Sequence, residues 1–158
     1  ASFEIFARKK LGIMPHFFSV NRYKVTMEKR ENVDRHFSII SEALVSINLG
    51  NQERVSVAES LDNNGQDQGP VHALSAALRK DLGPYQSFIE DMKLVDFKVR
   101  IMNGGTEAIT RVLIDSEDKN GVRWSTIGVS ANIIDASYDA IIDSINWKLL
   151  KEKAIPVK

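Results

Sequence analysis

Gly69-Pro70-Val71-His72-Ala73-Leu74-Ser75-Ala76-Ala77-Leu78-Arg79-Lys80 decides how the rest of the chain is read. It opens as a helix does. Gly69 permits a sharp entry, and Pro70 fits the first helical turn, where a backbone N–H would go unpaired in any case. Val71, Leu74 and Leu78 recur on one face at helical spacing. Arg79 and Lys80 close the segment, where cations suit the negative end of the helix dipole. The pattern returns downstream: Ile134, Ala136, Ala140 and Ile141 stand to one another as Val71, Ala73, Ala77 and Leu78 do. This second copy begins near Asn132 and runs through Trp147. Each copy follows a run of strand-like segments, so the spacing predicts two βββα units.

Working outward, residues 16–30 alternate, with Tyr23, Val25 and Met27 on one side and Arg22, Lys24 and Glu28 on the other. Ile39, Ala43, Val45, Ile47 and Leu49 mark a second strand, Gly50-Asn51 a turn, and residues 54–60 a third strand through Val55 and Val57. A polar loop, residues 61–68, delivers the chain into the helix, and Gly83-Pro84 ends it. Residues 85–92 read as a short extra turn. In the second copy, residues 94–102 place Val95, Phe97, Val99 and Ile101 on one face and Asp96, Lys98 and Arg100 on the other. Asn103-Gly104-Gly105 turns the chain into strands over residues 108–115 and 122–129, and a helix follows over 133–151. Residues 1–11 read as a helix end, stopped at Gly12 and blocked by Pro15. The fold class is therefore α+β: two βββα units whose antiparallel sheets pack on helices. Residues 1–15 are read as the end of a linker helix and 16–158 as the domain, with halves at about 16–91 and 92–151. A start at Ala1, inside helical sequence, is expected of a piece of a larger protein.

The 21 basic and 21 acidic residues cancel, which opposes a nucleic-acid partner. Lys98, Arg100 and Arg111 do stud two strands, and a βββα order resembles that of double-stranded RNA-binding domains, but there is no basic helix start to go with them. The absence of cysteine excludes disulfides and thiol chemistry and suits a cytoplasmic location. No apolar run is long enough to cross a membrane. His16, His36 and His72 form no metal-ligand spacing, so neither a metal site nor a catalytic residue is assigned.

What remains is binding. A helix N-terminus offers free N–H groups and partial positive charge to a carboxylate, and the chain has two such starts, at Gln68-Gly69 and Ala131-Asn132. Leu94, Phe97 and Ile101 offer an apolar wall, although periodicity alone makes them plain core. On an ideal strand Leu94 and Phe97 face opposite ways, so a shared wall requires a bend or strand boundary between them. Trp124 and Trp147 read as packing or interface residues.

Several ordered segments resemble a known family: Gly69-Pro70-Val71-His72-Ala73-Leu74, Leu94-Val95-Asp96-Phe97-Lys98-Val99-Arg100, Gly105-Thr106-Glu107-Ala108, the run from Trp124 to Ser137, and Asp143-Ser144-Ile145-Asn146-Trp147-Lys148-Leu149. Together they look like the C-terminal regulatory domain of the 2-isopropylmalate synthase and citramalate synthase family, over roughly residues 16 to 150. The Val99-Arg100, Trp124 and Ser144-to-Leu149 segments look nearer to citramalate synthase. The resemblance implies a homodimer that binds a branched-chain amino acid and feedback-inhibits a TIM-barrel catalytic domain of the same protein. That barrel condenses acetyl-CoA with a 2-oxo acid using a divalent metal. Its motifs are not in these residues, so no cofactor is expected in this chain. Pyruvate and isoleucine go with citramalate synthase, 2-oxoisovalerate and leucine with its relative. By motif position, the resemblance implies effector contacts at Gly69, Val71, His72, Leu94, Phe97, Ile101, Ala108, Ala131 and Ile133. Two departures stand at this site. The family loop usually reads Gly-Asn-Gly-Pro where this chain has Asp67-Gln68-Gly69-Pro70, and His72 replaces a small, amide or acidic residue. They motivate an alternative, a dimerisation module without effector binding.

Overall fold

The structure, a computed structural model, describes residues 1–62, 69–102 and 108–157. The expected loop through Asp67 and Gln68 and the Asn103-Gly104-Gly105 turn lie outside them. In chain order the elements are α1 (Ser2–Lys10), β1 (Ser19–Glu31), β2 (Phe37–Leu49), β3 (Gln52–Asp62), α2 (Pro70–Lys80), a 3-10 turn (Gly83–Tyr85), α3 (Gln86–Ile89), β4 (Lys93–Met102), β5 (Ile109–Glu117), β6 (Arg123–Ser130) and α4 (Ile133–Lys151). The strands form two antiparallel three-stranded sheets in sequence order, β1-β2-β3 and β4-β5-β6, each followed by a long helix. The two βββα units of the sequence are therefore present. The chain divides into two compact units, residues 18–86 with Val157, and residues 1–17 with 87–156.

In the first unit α2 lies over β2 and β3. Ala43, Val45, Ile47 and Leu49 are buried with Val71, Ala73, Leu74, Ala77 and Leu78 of the helix. Each Val, Leu or Ile so buried is worth about 1.5–3 kcal/mol of transfer free energy. The third strand is present through Val55 and Val57. Val55 and Val57 are 56% and 39% exposed, on the face turned away from α2. Pairing sets this: Val45 lies opposite Ser56 and Ala43 opposite Ala58, so the even residues of β3 share the helix-side face. Ser56 and Ser60 are buried there, and small side chains let the helix approach.

In the second unit α4 lies over β5 and β6. A step of two residues on a strand (about 6.6 Å) nearly matches a step of four on a helix (about 6 Å), and β6 uses that match. Thr126 Oγ1 donates to the Ala140 carbonyl at 2.7 Å, and Trp124 Nε1 to the Ser144 carbonyl at 3.2 Å. One step further along, Gly128 faces Ala136, and a Cβ there would sit 1.8 Å from the Ala136 carbonyl oxygen. Val112, Ile114, Ile141, Ile145 and Leu149 fill the rest of this core. α1 rests on α4 and the outer edge of β6: Ser2 Oγ accepts the Ile127 N–H at 2.9 Å and donates to Asp143 at 3.0 Å.

Candidate functional site: an apolar edge strand and two unlike helix starts

The pairing of β4 with β5 shifts by one residue between Leu94 and Asp96. Leu94 lies opposite Ser116, Phe97 opposite Ile114 and Ile101 opposite Thr110, three partners that are all buried on the helix-side face. The bulge supplies the bend that a shared wall requires. Leu94, Phe97, Val99 and Ile101 thus occupy one face. Val95, which simple alternation places with Phe97, is the extra residue of the bulge and has no partner in the register. Leu94 and Phe97 are half-buried and Ile101 is 74% exposed. This gradient follows from position, because α4 lies over the other two strands and β4 stands at the sheet's margin.

The first strand of the other unit has the same construction. β1 shifts register between Val20 and Arg22, leaving Asn21 extra. Val20, Tyr23, Val25 and Met27 therefore share the helix-side face at the spacing of Leu94, Phe97, Val99 and Ile101. Alternation alone finds Tyr23, Val25 and Met27 and misses Val20. The signal that would have found it is the repeated spacing itself, a gap of three followed by two gaps of two.

The helix starts are equivalent in sequence and unlike in chemistry. The offset that carries Val71 onto Ile134 carries Gly69 onto Asn132, and both are N-caps. Asn132 Oδ1 accepts the N–H groups of Ile134 at 2.8 Å and Asp135 at 3.2 Å. Ser130 Oγ donates to Asp135 at 3.0 Å and accepts the Asn132 N–H at 3.2 Å, closing this end with the chain's own groups. At α2 the cap is Gly69, and no side chain caps the helix among the described residues. Pro70 has no N–H, so the donors there are those of Val71 and His72. The Val71 side chain is buried in the core, and His72 is half-buried.

Of the residues assigned from the sequence, Gly69, Val71 and His72 belong to the first unit and Leu94, Phe97, Ile101, Ala108, Ala131 and Ile133 to the second. Within the second, Leu94, Phe97 and Ile101 form the wall, and Ala108 is exposed just before β5. Ala131 and Ile133 flank the Asn132 cap, both exposed. Ile101 pairs with Thr110 and Thr110 with Ser130, so the α4 start is level with the Ile101 end of the wall, two strand spacings or about 10 Å across.

At the β5–β6 turn lies a charge cluster around a buried lysine that sequence reading missed. The Lys148 side chain is 4% exposed, and its Nζ lies 2.7 Å from Glu152, 3.4 Å from Asp118 and 3.5 Å from Asp91. Burial opposes ionisation of Asp118, but the Val122 and Asn120 N–H groups and the Lys148 ammonium outweigh it and hold the carboxyl below its ordinary value. Burial likewise opposes the Lys148 charge, and Glu152, Asp91 and Asp118 outweigh it. The cluster ties the β5–β6 turn and the segment before β4 to α4. Tyr138 on α4 has its phenol pushed up to about 12 by burial and by Asp139 and Asp135, so it stays neutral at ordinary pH. Among the described residues no group of three or more His, Cys, Asp or Glu is placed to hold a metal ion, and no helix is long and apolar enough to cross a membrane.

Residues 1–149 match the family model described as the LeuA allosteric (dimerisation) domain. The chain is 41% identical over 157 residues to an (R)-citramalate synthase of Geobacter sulfurreducens, covering 98% of this chain and 28% of that protein. It is 37% identical over 155 residues to an (R)-citramalate synthase of Aquifex aeolicus, covering 97% of this chain and 27% of the relative. A probable 2-isopropylmalate synthase of Archaeoglobus fulgidus is 30% identical over 81 residues, or 51% of this chain. The chain thus spans little more than a quarter of the length of the curated relatives it matches across nearly its whole length.

Proposed function

The chain belongs to the LeuA allosteric (dimerisation) domain family, and from that premise we propose that it is the amino-acid-sensing, homodimeric regulatory part of a citramalate synthase, with isoleucine as its feedback inhibitor. The catalytic part, a TIM barrel outside these residues, would condense acetyl-CoA with pyruvate. The (R)-citramalate synthase relatives, similar along nearly the whole chain, support that choice over the leucine-pathway enzyme.

The observation that carries the sensing role is the bulge at Leu94–Asp96, which gathers Leu94, Phe97 and Ile101 on one face of an edge strand. A branched-chain amino acid needs two receptors, an apolar wall for its side chain and donors for its carboxylate. The wall is on β4. Donors of the second kind are the first N–H groups of a helix, and in the other unit α2 has a glycine cap with no side chain of its own to occupy them. A wall 74% exposed at Ile101 does not enclose a ligand by itself, and a second copy of the chain is the surface that completes it. Inhibition then requires only that isoleucine bind one arrangement of the dimer and its barrels more tightly than another.

Calorimetric titration of the chain with isoleucine, leucine and valine tests this. Saturable isoleucine binding that Phe97→Ala weakens at least tenfold is the expected result. Binding of leucine alone moves the effector assignment to the leucine pathway. No heat with any of the three from a folded dimer leaves a dimerisation module and overturns the sensing role.

A further inference from the structure

The opposite face of the second sheet, turned away from α4, is organised in rows. Asp96, Asp115 and Ser125 form one row, with Ser125 hydrogen-bonded to Asp115. Lys98, Leu113 and Ile127 form the next, then Arg100, Arg111 and Val129. Lys98, Arg100, Arg111 and Leu113 line a shallow cavity of about 290 Å³. Lys98 pairs with Asp96 at 3.3 Å. Arg100 and Arg111 lie directly opposite each other across the strands, and neither side chain has a hydrogen bond or an ion pair among the described residues. Like charges directly opposite on a sheet face are destabilising, and an anion bridging the two guanidinium groups would relieve that cost.

We propose that this cavity is a binding site for a compact oxyanion of the phosphate class, held by the Arg100 and Arg111 guanidinium groups with Lys98 as the third cation. It stands independently of the sensing role, on the other face of the sheet from the Phe97 wall. Guanidinium groups present paired N–H donors that match phosphate oxygens two at a time. The size of the ligand follows from the rows. The acidic pair Asp96 and Asp115 closes the patch on one side, and the apolar pair Met102 and Ile109 on the other. A run of phosphates along the strand would meet the carboxylates after two rows, which excludes extended nucleic acid and favours one phosphate or diphosphate group. The apolar flank of Leu113, Ile127 and Val129 suits an organic remainder on the same molecule.

The test uses inorganic pyrophosphate as probe, titrated into the isotope-labelled chain at physiological salt, with citrate in a parallel titration. Saturable shifts of the β4 and β5 amides with pyrophosphate, a higher melting temperature, and at least tenfold weaker binding in Arg100→Gln/Arg111→Gln are expected. Without anion the double variant should melt no lower than the parent, because a repulsive pair has been removed. Lys98→Gln should weaken binding a few-fold and leave the fold intact. Absence of saturable shifts, binding undiminished in the double variant, preference for citrate, or a double variant that melts well below the parent in plain buffer would each overturn the proposal. None of these outcomes alters isoleucine binding on the other face.

Discussion

The two βββα units repeat each other in almost every architectural respect and differ at the helix start. Both carry a bulge near the beginning of the first strand, both leave that strand's apolar face at the margin of the sheet, and both lay their helix over the other two strands. Yet α4 is capped by Asn132, which takes two of its own N–H groups, whereas α2 is capped by a glycine that takes none. Among the described residues, a repeated fold thus carries one helix start closed by side chains and one that none of them caps. Sequence reading treats the two starts as a pair of equal carboxylate receptors. The structure separates them: Asn132 occupies the first N–H groups of α4, and the Gly69 cap brings no side chain to those of α2.

The units also differ in how the helix is seated, and this difference predicts the largest effect. α4 approaches β6 so closely that Gly128 has no room for a methyl group. Gly128→Ala should cost about 3 kcal/mol, the upper part of the range for overpacking, because the obstacle is helix backbone and not a movable side chain. Native-state hydrogen exchange should show the loss concentrated in β5, β6 and α4, with β2, β3 and α2 protected as before. Equal loss in both units would show that they unfold as one.

Next in size is Lys148→Met. The side chain is 4% exposed with three carboxylates around it, so removing the ammonium leaves like charges facing one another in a confined space, at a cost of about 3 kcal/mol or slightly less. Its pH dependence has a definite sign. Asp118 is held below 3.8, so its contribution is present above that value and is lost as pH falls through the lower, folded-state value. Lys148 is held above 10.5, so its contribution is present below that value and is lost as pH rises through the higher one. The variant removes the cation that helps keep Asp118 ionised, and its acid unfolding midpoint should move to higher pH. An unchanged midpoint in an acid titration followed by circular dichroism would show that the backbone N–H groups alone hold Asp118 down.

These cases also show what was legible in the sequence. Helical spacing survives tertiary context because it is set by the chain's own hydrogen bonds, so both long helices and the repeat between Val71 and Ile134 were readable. The faces of β3 and β4 were less so. Val55 and Val57 are apolar and point outward because the register of the hairpin with β2, and not their own hydropathy, fixes their parity. A wall shared by Leu94 and Phe97 required a bend or strand boundary between them, but spacing cannot say which residue is extra until the register with Ser116 and Asp115 is known. The Lys148 cluster was invisible because Asp91 and Asp118 lie far from it in sequence. At the site, motif position supplied names without the contrast between caps, since Gly69 and Asn132 are both ordinary cap residues.

That contrast can be sharpened from either side, with smaller effects on stability. Asn132→Ala opens the closed start. It should cost about 1 kcal/mol, the usual value of an N-cap, read as a lower thermal midpoint. No change would mean that Ser130 takes over the N–H groups that Asn132 releases.

The reciprocal change is the most discriminating and the least disruptive. Gly69 has φ −109°, which any residue adopts, and a Cβ there meets nothing within 4 Å. Gly69→Asn therefore fits, and its side chain can accept from the α2 N–H groups as Asn132 does at α4. Asn exceeds Gly as a cap by only a few tenths of a kcal/mol, so the thermal midpoint should rise slightly. If the open start is where the effector's carboxylate docks, the same substitution should weaken isoleucine binding more than tenfold, because the ligand must displace an intramolecular acceptor. Stability and affinity would then move in opposite directions. A variant that melts higher and binds isoleucine as tightly as the parent would show that the α2 start takes no part in effector binding.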